Sequence, residues 1–122
     1  MQELGGKPDV LMQGAPAAVN ATATLTIAQL LGLLITTTSA TAVSLTLPTG
    51  TLTDAGITAP AMPIGGAFDW FIINLGSSTG AITLVAGTGH TIVGSAAIPI
   101  ATSAGFRTRK TAANTYVTYR LR

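Results

Sequence analysis

Cysteine is absent from the 122-residue chain, which excludes disulfide staples and thiolate metal sites and leaves the redox compartment open. Charge is nearly as scarce: Asp, Glu, Lys and Arg make up 8% of the residues, against about 25% in ordinary soluble domains. A lone domain with so few charges disperses poorly. Other subunits are therefore expected to cover part of its surface, with abundant Thr and Ala providing flat, small-residue contact area. No apolar run approaches the roughly 20 residues of a membrane span; the longest lies near Leu30 to Ile35. The polar start from Met1 to Lys7 is followed by no apolar core, so no secretory signal is expected there.

Chemistry-bearing residues are also few. His90 is the single histidine, and the four acids, Glu3, Asp9, Asp54 and Asp69, are scattered, so no metal-ligand spacing arises. Gly76-Ser77-Ser78-Thr79-Gly80 matches the nucleophile-elbow pattern. That chemistry needs a strand-to-helix turn with an acid and a histidine later in the chain, and no acid follows Asp69. Gly87-Thr88-Gly89 lacks the third glycine of a dinucleotide fingerprint and reads as a turn. His90 reads as a solvent-edge or hydrogen-bonded loop residue, and Asp69 as half of an ion pair or a subunit contact. No catalytic residue, cofactor or metal is expected.

What the chain does have is one outstanding strand. Phe68-Asp69-Trp70-Phe71-Ile72-Ile73-Asn74-Leu75 carries the only Trp, two of the three Phe and two Ile, types that suit a pleated, packed surface. Alternation puts Phe68, Trp70 and Ile72 on one face and Phe71, Ile73 and Leu75 on the other. Both faces are apolar, so the strand needs cover twice, from its own domain or from another subunit. These six residues are the candidates for core and subunit contact. Gly76 to Gly80 suits a hairpin loop returning into Ala81 to Ala86, which predicts a central antiparallel hairpin.

Around it, Met1 to about Asn20 has no sustained periodicity and reads as an extended arm, with Val10, Leu11 and Met12 as an apolar knob for a partner surface. Thr26-Ile27-Ala28-Gln29 has capping-box spacing and predicts a short helix over Ile27 to Leu31, ending at Gly32. Leu33 to Thr38 and Thr41 to Leu47 read as strands, Thr53-Asp54 opens a helical turn, and Ala59 to Gly66 is a loop. His90 to Val93, Ala96 to Ile100, Phe106 to Thr111 and Thr115 to Leu121 complete the strands. The fold class is all-β: one antiparallel β-sandwich or barrel-like domain over residues 21–122, of about seven to eight short strands, with one or two helical turns and an arm over 1–20.

Five of the six basic residues fall in the last sixteen positions. Arg107, Arg109 and Lys110 read as solubilising charges of outer strands or as contacts to an acidic partner. Tyr116 and Tyr119 are too few as stacking platforms for nucleic-acid binding to be expected.

Six blocks carry a resemblance: Thr26 to Gly32, Leu45 to Gly50, Phe68 to Gly76, Gly87 to Gly94, Phe106 to Lys110 and Tyr116 to Arg120. Together they resemble a family of small tailed-bacteriophage virion proteins, of capsid-decoration (cement) or head-fibre type. The likeness spans roughly Ala21 to the end of the chain. It implies a β-rich structural subunit, commonly a trimer, attached to the outside of a head, and supplies no catalytic residues. The expected function is thus a non-enzymatic virion protein on the outer capsid surface, assembled in the host cytoplasm. Its partners would be copies of itself and the major capsid protein, with no membrane. The alternative is a tail-fibre or spike module that recognises a host surface glycan.

Overall fold

The computed structural model describes residues 12–122. Val10 and Leu11 lie outside them. In chain order the elements are β1 (Ala17–Ala18), β2 (Ala23–Thr24), α1 (Ile27–Leu31), β3 (Leu34–Thr37), β4 (Val43–Thr46), α2 (Gly50–Gly56), β5 (Ala67–Asn74), β6 (Ile82–Val85), β7 (His90–Val93), β8 (Ala97–Ile98), β9 (Ser103–Ala112) and β10 (Thr115–Arg120). A six-stranded sheet has the order β1-β3-β5-β9-β10-β7, and a four-stranded sheet the order β2-β4-β6-β8. The fold is mostly β, as the sequence implies, but the pairing is mixed. The pairs β1–β3, β3–β5, β10–β7, β2–β4 and β4–β6 are parallel, whereas β5–β9, β9–β10 and β6–β8 are antiparallel.

The antiparallel expectation, with its central hairpin, is therefore corrected. β5 and β6 follow one another in sequence but belong to different sheets. From β1 to β6 the chain alternates between the sheets and returns each time beside its previous strand. A parallel neighbour needs a crossover, and here the strand in the opposite sheet supplies it. The result is three stacked coils, with Ile35 beside Ile72 in one sheet and Leu45 beside Leu84 in the other. All four are buried. Burying each such side chain contributes about 1.5–3 kcal/mol.

Local sequence accounts for the two helices. Thr26 Oγ1 accepts from the Gln29 amide at 3.2 Å, and Gln29 Oε1 accepts from the Thr26 amide at 2.9 Å, satisfying two otherwise unpaired helix-end donors. The Gly32 amide donates to Ala28 O at 3.1 Å. The left-handed residue after α1 is Leu33, at φ 76°. α2 starts earlier than the sequence suggests, because Thr49 Oγ1 accepts from the Leu52 amide at 3.1 Å and caps it. Asp54 sits inside that helix instead of opening it.

Part of the span read as an arm belongs to the sheet: β1 pairs with β3, Val19 is buried, and the Gln13 side-chain amide donates to Gly32 O at 2.8 Å. Among the described residues, no helix is long and apolar enough to cross a membrane.

One apolar cluster joins the inner faces of both sheets. Trp70 is fully enclosed by its own chain, stacked on Phe106 with ring centroids 4.6 Å apart. A polar line runs through this core. Trp70 Nε1 donates to Thr108 Oγ1 at 3.0 Å, Thr108 and Thr118 hydroxyls are 2.8 Å apart, and Thr118 Oγ1 lies 2.5 Å from His90 Nε2. His90 Nδ1 is 3.2 Å from Pro48 O. A carbonyl can only accept, so Nδ1 carries the imidazole proton and Nε2 accepts from Thr118. Thr118 then accepts from Thr108, which accepts from Trp70, so every donor on the line points the same way.

Candidate functional site

Strand alternation divides the β5 candidates cleanly. Trp70 and Ile72 are buried and Phe68 is half-buried against the core. Phe71 and Ile73 are half-buried on the opposite face, and Leu75 is 57% exposed. Only one face of the strand thus receives full cover from the described chain. The outer face of the six-stranded sheet is the candidate site.

Register places its residues in rows. One row holds Ala67, Arg109, Val117 and Thr91, and the next Asp69, Arg107, Tyr119 and Val93. Then come Leu34, Phe71 and Gly105, with the Leu121 amide donating to Gly105 O at 2.8 Å, and finally Thr36, Ile73 and Ser103. Rows two residues apart along a strand are separated by about 7 Å. Arginines and tyrosine fill one half of the face, and aliphatic and aromatic side chains fill the other.

In the apolar half, Leu34, Phe71, Ile73, Ala104 and Gly105 form a shallow groove of about 240 Å³, with Ser103 and Arg122 at its lip. Gly105 creates it. A Cβ built there would lie 2.8 Å from Phe71 Cε2, so only glycine lets the Phe71 ring lie across β9. Arg122 sets its guanidinium 5.8 Å from the centroid of that ring, in cation–π range.

In the polar half, Arg107 grips Asp69 through two bonds, Nε to Oδ1 at 2.6 Å and Nη2 to Oδ2 at 2.9 Å. This pairing holds the Asp69 carboxyl below the usual carboxylate range and raises the Arg107 guanidinium. Asp69 is thus half of an ion pair, as its sequence position suggests. Arg109 is exposed and has no ion-pair partner among the described residues.

Lys110 lies on the opposite face, because it is one residue out of phase with Arg107 and Arg109. Its Nζ is 3.0 Å from Asp54 Oδ1 and donates to Met62 O at 3.1 Å, so it is engaged away from the outer face. Tyr116 donates to the same carboxylate at 2.5 Å, and the Asn114 amide donates to its other oxygen at 2.8 Å. Those bonds, led by Tyr116, hold Asp54 below its ordinary pKa. Of the three residues in the apolar knob, Met12 is described and is 87% exposed.

Tyr119, Val117, Leu34 and Arg122 join the face without having been singled out for it. Strand alternation alone puts Val117 and Tyr119 on one side of β10, whereas their alignment with Arg109 and Arg107 is set by pairing with β9. Ser78 of the elbow-like pattern is exposed at φ 55° and is followed by strand β6. The chain's single histidine is held by Pro48 and Thr118, so no serine–histidine pair forms there. Among the described residues no group of three His, Asp or Glu could hold a metal. No protein-family model matches the chain, and comparisons with curated proteins and with solved structures find no match either.

Proposed function

We propose that this protein is a virion structural subunit, a capsid decoration protein that self-associates, as a trimer, and attaches to the outer surface of a bacteriophage head. The reading rests on the sequence resemblance and on one structural observation: the outer face of the six-stranded sheet is apolar, arginine-bearing and uncovered by the described chain. An 8% charge content fits a protein that works with much of its surface against neighbours. The mechanism is mass action, since a subunit that binds only the assembled lattice stabilises that state.

The face is assigned to the coat lattice and not to the trimer. Three arginines against one aspartate give it a positive surplus, and two such faces repel. Self-association then falls to a second apolar patch, a hollow of about 350 Å³ formed by Leu25, Ile27, Pro48 and Leu52, of which Leu52 is 57% exposed.

The test mixes purified protein with heads that lack it and measures co-pelleting and heat resistance. Saturable pelleting with a higher disruption temperature is expected. Protein left in the supernatant, with no gain in heat resistance, would overturn the reading.

A further inference from the structure

We infer that the groove on the outer face takes an extended polypeptide segment in which carboxylates flank an aliphatic side chain. The inference rests on the proposed function in treating this face as the docking surface, and it adds the chemistry of what docks. Charge complementarity carries it. Asp69 takes two bonds from Arg107 and also feels the Arg122 charge, while neither Arg109 nor Arg122 forms a salt bridge among the described residues. Arg122 is spread on the Phe71 ring at the groove lip, where it can receive a carboxylate beside whatever fills the groove. The side chains of the groove, Leu34, Phe71 and Ile73, offer nothing to a phosphate and suit Leu, Ile or Met. A second copy presenting the same face brings like charge against like charge, which costs binding.

Spacing agrees with an extended occupant. Same-face side chains of a strand repeat about every 7 Å, matching the interval between the Arg109, Arg107 and Phe71 rows. A segment along β9 would set one carboxylate opposite Arg109, an aliphatic side chain four residues later in the groove, and a second carboxylate at Arg122. Tyr119, beside Arg107 in register, lies between them as a flat contact.

The probe is a blocked peptide, Glu-Ser-Thr-Ser-Leu-Ser-Glu, whose two Glu and Leu share one face when extended, compared with versions carrying Lys for both Glu or Ser for Leu, titrated to millimolar concentration and followed by NMR. Shifts confined to Leu34, Ile73, Arg109 and Tyr119 are expected, with the lysine version silent and the serine version weaker. Arg109→Gln and Arg122→Gln, both exposed and remote from the core, should each weaken binding about two- to fivefold, and raised salt should weaken it further. No shift at the face, or equal binding of the lysine version, overturns the inference. The same variants are then tested on heads lacking the protein. Peptide binding with no head binding overturns the virion reading and leaves the groove chemistry standing. Head binding that is unchanged in both variants overturns the groove chemistry alone.

Discussion

Among single residues, the buried hydroxyls and the imidazole between the sheets have the clearest consequences. Burial pushes His90 below its ordinary pKa of about 6.5. Protonation would also reverse Nε2 from acceptor to donor and leave the line from Trp70 with one donor too many. Because the folded pKa is lowered, the stability this site contributes is complete above about pH 6.5 and is lost as pH falls below it, where the unfolded chain binds the proton more readily. Urea midpoints should fall between pH 7.5 and 5.5 in the native protein, more steeply than in His90→Gln. Thr118→Val removes the central hydroxyl and leaves the Thr108 hydroxyl and His90 Nε2 short of partners, at an expected cost of about 1–3 kcal/mol in chemical denaturation. Thr37 is the reverse case: its hydroxyl is buried with no partner among the described residues. Thr37→Val keeps the branched shape, and a gain of about 1 kcal/mol is expected from the same measurement.

Elements differ in how far their own residues determine them. The α1 capping box was readable because its two hydrogen bonds are local, Thr26 to Gln29 and back. The two faces of β5 were readable because alternation belongs to the strand alone. Partner choice was not. The glycine-bounded loop after β5 has hairpin composition, yet β6 docks in the other sheet, and nothing local separates a turn back from a turn across. Lys110 parts from Arg107 and Arg109 for a related reason: successive side chains of a strand point to opposite faces. The junction where α2, the β9–β10 turn and the start of β7 meet is also long-range. A Cβ on Gly50 would lie 1.8 Å from Asn114 O, backbone against backbone. Gly50→Ala should therefore cost about 1–3 kcal/mol or more in urea unfolding, whereas Gly14→Ala, which meets nothing within 4 Å, should be near neutral.

For the molecule as a whole, the interior is closed by the chain's own two sheets, and the outer side of the larger one is left only partly covered by the described residues. The candidate face is half legible: the sequence offers Phe71 and Ile73 as one set and Arg107 and Arg109 as another, and cross-strand register joins them into one surface. If the proposed trimer forms through the Leu52 hollow, Leu52→Glu should leave single copies in sedimentation equilibrium while Arg109→Gln should not. Attachment is the central proposal, and cryo-electron microscopy of phage particles incubated with this protein tests it most directly. Three-lobed density on the outside of the head, with Phe71, Arg109 and Arg122 turned onto the coat, is the expected result. Density on the tail, or a subunit on the head with that sheet face turned to solvent, would contradict it.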